Sequence, residues 1–271
     1  MEHYNYVAIV LVYRNVDDLE ECIDSIYEKI SNSKIIVVNS YYDEESKEKI
    51  EQVADDKNCI FINVENKGYS YGNNRGIEYA RDHFDFKFII VSNPDVTISQ
   101  FEESEIEQFP EYGIIAPKII ARSGRLQNPM TIVRSKLSEY FEYKGFKKNS
   151  KLLIAMGISV GKIRRMIAVT THKKKNNPYQ IYAAHGSFVI IAKSTVDKLY
   201  PIYDENLFLF AEEGVLAYRA EKAGIKTGQF DAIVINHKED GSMKLSNLSI
   251  NDELKKANIY YYENYVLRNK Q

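Results

Sequence analysis

The sequence predicts an α/β fold: a mostly parallel central sheet flanked by helices, with a basic helical insert in its second half. Three observations carry this. Apolar, β-branched runs alternate with amphipathic runs through the first hundred residues, the order expected of a parallel sheet built from β-α-β units. The strand-like runs are continuously apolar, as in strands covered on both faces. From Arg134 to Lys175 there are twelve basic residues against Glu139 and Glu142, mixed with apolar residues at roughly helical spacing.

The elements follow in order. "YVAIVLVY" (6–13) is the first buried strand, and "DDLEECIDSIYEKI" (17–30) places Leu19, Cys22, Ile23, Ile26 and Ile30 on one helical face. "KIIVVNS" (34–40) is a second strand, "EESKEKIEQVADD" (44–56) a polar amphipathic helix and "CIFINVE" (59–65) a third strand. "YGNNRGIEYARDH" (71–83) opens a helix and "FKFIIVS" (86–92) is a fourth strand. Further on, "IYAAHGSFVIIAK" (181–193) reads as strand and "STVDKLY" as a short helix capped by Ser or Thr. "EEGVLAYRAEKAG" (212–224) is a helix closed by Gly224, and "FDAIVINHK" (230–238) is a last strand ending at His237. The tail from Asn251 is helical.

Composition narrows the function classes. The chain has 271 residues, 44% of them hydrophobic, which is ample for a core. A formal net charge of −2 gives no electrostatic footprint for nucleic acid. Cys22 and Cys59 have no metal-like spacing and read as buried thiols of a reducing compartment. The N-terminal apolar run is short and follows no basic segment, so no secretory signal is expected. No run approaches the roughly 20 apolar residues of a membrane span. A cytoplasmic location is expected. The 21 tyrosines suit sugars and nucleobases, but they are common in strands too.

In parallel sheets of this kind ligands bind beyond the carboxyl ends of the strands. Asn39, Asn66, Asn93 and Asp95 all stand at such ends. "NKGYSYGNNRGI" (66–77) sets glycines before a helix whose first amides could hold an anion; a plain loop-to-helix turn is the alternative. "NPDV" supplies one carboxylate, either a turn residue or a ligand for a hard cation that completes its shell with water and phosphate oxygens. Glu212 and Glu213 open a helix, where they complement its dipole or place a general base beside a second carboxylate. His237 ends a strand and is either structural or a ligand.

Taken together and in order, these motifs resemble the inverting nucleotide-sugar glycosyltransferases of family 2, and within them the rhamnosyltransferase-like branch that builds bacterial surface polysaccharides. The resemblance rests on "VYRN" (12–15), "VVNS" (37–40), "NKGYSYGNNRG" (66–76), "SNPDV" (92–96), "HGSFVII" (185–191) and "YDENLFLFAEE" (203–213). Arg219, Ala223-Gly224, "AIVINH" (232–237) and the Tyr-rich tail with Arg268 and Asn269 extend it. It implies a GT-A fold spanning 1–271, with a nucleotide-sugar-binding half (1–100), an acceptor half (101–250) containing the insert 134–175, and a C-terminal helix (251–271).

It also implies roles. Asp95 would hold a divalent cation, Mg²⁺ or Mn²⁺, with Asn93 alongside and His237 as a further ligand. Tyr13, Asn39, Asn66, Gly68, Asn74 and Arg75 would line the nucleotide sugar. Glu213 would be the catalytic base, with Glu212, Gly186 and Ser187 on the acceptor side. The acceptor hydroxyl would attack the anomeric carbon in line and lose its proton to Glu213, with inversion. Two positions depart from the family pattern: Asn39 replaces an aspartate, and Glu213 replaces the usual aspartate and is followed by Val215-Leu216 in place of Asp-Leu.

The expected partners are a nucleotide-sugar donor, UDP- or dTDP-linked, and a saccharide acceptor, lipid-linked in many relatives. No nucleic acid is expected, and oligomerisation is left open. The basic insert is either a solvated insertion or a membrane-surface patch that would hold the protein at the inner face of the cell membrane. A catalytically silent sugar-nucleotide-binding relative remains as an alternative. A sugar nucleotidyltransferase does too, although "VYRNVDD" supplies no phosphate loop for one. A dehydrogenase is poorly supported because no G-x-G-x-x-G opens the first helix.

Overall fold

The computed structural model describes residues 1–172, 177–239 and 249–268. Lys173, Lys174 and Lys175 of the insert and Asn269 of the tail lie outside the described residues. Four strands, β1 (Glu2–Val12), β2 (Ser33–Ser40), β3 (Ile60–Val64) and β4 (Phe84–Ser92), run parallel in the order β3-β2-β1-β4. Helices α1 (Leu19–Lys29), α2 (Glu44–Asp56) and α3 (Tyr69–His83) connect them. Val7 to Val10 are fully buried because β1 is covered on both faces. Ala8 and Val10 share a core with Cys22, Ile23 and Ile26 of α1, while Val7 and Ile9 share one with Ile77 and Ala80 of α3. Each such aliphatic side chain contributes roughly 1.5–3 kcal/mol by its burial. That is why the run shows no polar alternation. Among the described residues no helix is long and apolar enough to cross a membrane.

Beyond β4 come β5 (Val96–Phe101), α4 (Glu103–Gln108), β6 (Tyr112–Ala121), α5 (Lys136–Lys147), α6 (Lys151–His172) and β7 (Tyr179–Ile181). They are followed by β8 (Phe188–Ala192), α7 (Lys193–Leu199), α8 (Glu212–Lys222), β9 (Lys226–His237) and α9 (Ile250–Tyr261), which continues as a π-helical turn, Tyr262–Leu267. The sheet order is β3-β2-β1-β4-β8-β6-β9-β5, with β7 on β9. β8 is antiparallel to β4 and β6, and β9 is parallel to β6 but antiparallel to β5. The mostly parallel sheet expected from the sequence therefore holds for the first four strands, and the second half is mixed.

Three local expectations shift. The strand expected over 181–193 is broken by His185-Gly186-Ser187 into β7 and β8. α7 starts at Lys193 behind Ala192, with no side-chain cap from Ser or Thr. α3 starts at Tyr69, so Gly72 and Asn74 lie inside the helix rather than in a loop before it. Gly72 is needed there because a Cβ would stand 2.4 Å from Leu11 Cδ1 of β1.

The insert is a helical hairpin. A Cβ on Gly157 of α6 would lie 2.9 Å from the Glu142 backbone nitrogen, and one on Gly145 of α5 would lie 2.7 Å from the Ile154 nitrogen, so the two helices touch through glycines. Arg134 roots the hairpin. Its side chain is 9% exposed, its guanidinium donates to both Glu139 carboxylate oxygens at 2.8 Å, and it stacks 4.7 Å over the Tyr218 ring of α8. The tail closes over α5: Tyr262 stacks on Tyr143 at 4.4 Å, and Tyr143 donates to Glu263 at 2.9 Å.

Gly68 joins the two halves. It has φ +97°, and a Cβ there would stand 2.1 Å from the Phe208 carbonyl oxygen, to which Tyr69 N donates at 2.9 Å. Gly68→Ala adds a left-handed strain of about 1–2 kcal/mol to a backbone clash. It is expected to lower unfolding free energy by at least about 2 kcal/mol in urea titrations; an unchanged midpoint would refute this packing role.

Candidate functional site

The sheet topology gathers one rim. β1, β2 and β4 end on it, and β8, being antiparallel to β4, begins on it. The register Ser92↔Phe188 sets Asn93 opposite Ser187, whose carbonyl accepts from Asn93 N at 2.9 Å. The register Val96↔His237 brings the end of β9 beside the residue preceding β5, which is Asp95. Lys238 N then donates to the Asp95 carbonyl at 2.9 Å.

Asp95 and His237 are buried, and Asp95 Oδ2 lies 3.3 Å from His237 Nε2. The partner of the other ring nitrogen decides what this contact is. Gln127 Nε2 donates to the Glu239 carboxylate at 2.9 Å, so its Oε1 is the atom turned toward His237 Nδ1, at 2.7 Å. An amide oxygen only accepts, so Nδ1 carries the proton. In a neutral ring Nε2 then presents a lone pair to a carboxylate, and Asp95 Oδ1 is buried without a hydrogen-bond partner. Two facing lone pairs and an orphaned buried carboxylate oxygen fit a divalent cation. Among the described residues no group of three or more His, Cys, Asp or Glu could hold a metal. A cation on Asp95 and His237 therefore needs oxygen ligands from water or a bound phosphate, as hard cations commonly take.

The second pair of carboxylates stands at the start of α8. Phe210 and Ala211 just before it both have left-handed backbones, with φ 71° and 66°, a conformation that non-glycine residues adopt only when held there. Glu213 Oε1 accepts from Gly186 N at 3.3 Å, and the Gly186 carbonyl accepts from Tyr69 OH at 2.7 Å. A side chain on Gly186 would begin 3.0 Å from Glu213 Oε1. Glu212 points inward and is 4% exposed. Burial, and then the neighbouring Glu213 charge, push its carboxyl up to about 8.

His185 lies between the two pairs. Its ring centroid is 5.9 Å from that of His237, and the next residue, Gly186, holds Glu213. Ser187 N donates to His185 Nδ1 at 3.1 Å, so this ring has the opposite tautomer, with its proton on Nε2. Burial holds its pKa below the usual histidine value. His185, Gly186, Tyr203 and Glu213 line a narrow cavity here. A wider cleft of 440 Å³ lies toward the other end of β9, against Arg134, Tyr182 and Glu221.

The sequence-predicted residues divide into groups. Asn93, Asp95, Gly186, Ser187, Glu213 and His237 come together on the rim, with Glu212 behind them. Asn39 is buried at the end of β2, with Nδ2 bonded to Asn63 Oδ1 at 2.7 Å and Oδ1 unpartnered. Tyr13 packs edge-on to Tyr42 at 5.8 Å. Asn66 is exposed and accepts from Gly68 N at 3.4 Å. Asn74 is buried and Arg75 half-buried, and both are engaged by the protein's own groups. The Asn74 amide donates to the Tyr203 carbonyl at 2.9 Å and accepts from Tyr203 N at 3.1 Å, and Arg75 bonds Glu205 at 2.7 Å and Glu78 at 2.8 Å. They hold the segment that leads into α8.

Sequence reasoning missed His185, Gln127, Tyr69 and Glu239. His185 interrupts an apolar run directly before Gly186 and was findable. Gln127 and Glu239 sit in loops 112 residues apart with no local signal.

Residues 7–166 match the pattern of "Glycosyl transferase family 2". The low-salt glycan biosynthesis hexosyltransferase Agl10 of Haloferax volcanii is 27% identical over 235 residues, 85% of this chain and 66% of that protein. GalNAc-T7, solved with UDP, GalNAc and Mn²⁺, shares the fold at a TM-score of 0.58 and 13% identity, covering 87% of this chain but only 44% of that one. The mannosyltransferase PcManGT of Pyrobaculum calidifontis, solved with GDP-Man and Mn²⁺, has a TM-score of 0.53 at 12% identity, covering 95% of this chain and 70% of its own.

Two measurements test this geometry. Gln127→Leu frees His237 to change tautomer and is expected to weaken Mn²⁺ binding about 10- to 100-fold by calorimetry; unchanged affinity would refute the assigned tautomer. Glu212 keeps its proton in the fold up to about pH 8, whereas the unfolded chain loses it in the ordinary carboxylate range. Stability from this group is therefore full in acid and is lost as pH rises toward 8. Glu212→Gln should become more stable relative to the parent by on the order of 2–4 kcal/mol between about pH 5 and pH 8; parallel pH profiles would contradict the shift.

Proposed function

Since the chain belongs to glycosyl transferase family 2, we propose that it moves a hexose from a nucleoside-diphosphate sugar, UDP- or dTDP-linked, to a saccharide acceptor with inversion at the anomeric carbon. The acceptor is lipid-linked, and the reaction serves surface-polysaccharide assembly at the inner face of the membrane. The observation that carries the reading is the single rim that holds both the Asp95–His237 pair and Glu213, with His185 between them.

The chemistry follows from these residues. Glu213, held by the Gly186 amide, takes the proton of the acceptor hydroxyl. The acceptor oxygen bonds to the anomeric carbon as the carbon–oxygen bond to the diphosphate breaks, and the electron pair leaves with the diphosphate. A divalent cation on Asp95 and His237 would supply charge neutralisation for that leaving group. Attack opposite the leaving group inverts the centre and needs no covalent intermediate. Glu212, buried and protonated near neutral pH, puts no second negative charge beside Glu213. For the donor base, Asn39 keeps its buried Oδ1 without a partner while its Nδ2 is bonded to Asn63. That oxygen suits the imide N–H of uracil or thymine.

A thermal-shift series with UDP, dTDP, GDP and CMP, each with and without Mn²⁺, tests the reading. A metal-dependent shift with UDP or dTDP is expected, and Asp95→Asn should abolish it. Glu213→Gln should keep the shift and lower turnover by at least about 100-fold. No shift with any nucleotide would sink the proposal.

A further inference from the structure

Helix α6 is apolar on two opposite faces. One face, through Ile154, Gly157, Gly161 and Ala168, lies on the protein. The other carries Leu152, Met156, Ile163, Met166 and Ile167, which are 71%, 40%, 56%, 64% and 56% exposed. At 3.6 residues per turn these five share one stripe, turned away from Gly157 and continued by Ser159 and Thr170. An exposed helix of a soluble domain ordinarily opposes its buried face with polar residues. Here the polar residues stand at the edges of the outer stripe instead: Lys151 and Lys162 on one flank, Arg164 on the other, and Arg165 nearer the packed face. Among the described residues none of these four cations makes an ion pair, in contrast to Arg134, which is buried against Glu139, and Lys147, which bonds Glu263.

We infer that this outer face of α6 is a docking surface for an anionic lipid bilayer, with the helix lying in the plane of the interface. The apolar stripe enters the boundary between headgroups and acyl chains, and the flanking cations meet the phosphates. A bilayer answers both features in one plane. A second copy does not, because a twofold contact through the stripe would set like-charged flanks against each other. The hairpin is tied to the rest of the protein at two places, since Arg134 joins its root to α8 and Tyr143 of α5 stacks on Tyr262 and bonds Glu263 of the tail. The surface is therefore held at a set position relative to Glu213 at the other end of α8. This deepens the reading of a lipid-linked acceptor, but no residue of the stripe touches the proposed chemistry.

The test is co-sedimentation of the full chain with vesicles of phosphatidylglycerol and phosphatidylcholine in equal parts, against phosphatidylcholine alone. Binding to the anionic vesicles is expected, weakened by salt. Two independent variants, Leu152→Ser/Met166→Ser/Ile167→Ser and Lys151→Gln/Lys162→Gln/Arg164→Gln, should each lose about tenfold or more of that binding. Both should keep the parent melting temperature and the parent shift with UDP and Mn²⁺. The nucleotide shift is read without lipid, so failure of membrane docking and failure of the transferase reading are told apart. Equal binding by both variants, or no binding by the parent, would overturn the inference. So would a dimer in sedimentation velocity that the serine variant converts to monomer, because a second copy would then cover the stripe.

Discussion

The antiparallel pairing of β5 with β9 is the constraint on which the site depends. It closes the far edge of the sheet and, by its register, sets Asp95 beside His237. A slip of one residue would turn every side chain of β5 to the other face. Ile98 would leave the core and Thr97 would enter it, and the carboxylate would part from the imidazole. The same register carries Lys238 to Asp18 and Glu21 at the start of α1, at 2.6 and 2.5 Å, and so ties the last strand to the first helix.

The two halves of the chain contribute different kinds of order. The first is held by apolar layers on both faces of parallel strands. Polar groups reaching across from one half to the other hold the second: Asn74 on the Tyr203 backbone, Tyr69 on Gly186, Arg75 on Glu205. A buried amide that loses its partner costs more than the bond contributed. These few contacts therefore control where α8, and with it Glu213, begins.

This difference decides how much could be read in advance. The apolar periods of α2 and of β1 to β4 are local, and their placement was legible; α2 falls on the expected 44–56. The mixed second half was not, because antiparallel pairing of β8 with β4 links residues about a hundred positions apart without a local pattern. The rim residues Asp95, Glu213 and His237 stood in quotable motifs. Gln127, which orients His237, did not, since its role exists only once β6 and β9 lie side by side. Asn74 and Arg75 were visible as polar residues near a helix start, but α3 begins two residues earlier than the period indicated and turns them to the Tyr203–Glu205 segment.

Cys22 lies directly beneath the rim, fully buried, 3.5 Å from the Asn93 carbonyl and 3.9 Å from Ser92 Oγ. Burial pushes its thiol up to about 12, so the closed protein offers a reagent neither access nor thiolate. Alkylation of this sulfur has to wait for the floor of the rim to open, and its rate then counts those openings. The chain thus carries, one layer below the proposed chemistry, a native stopwatch for the breathing of its own site.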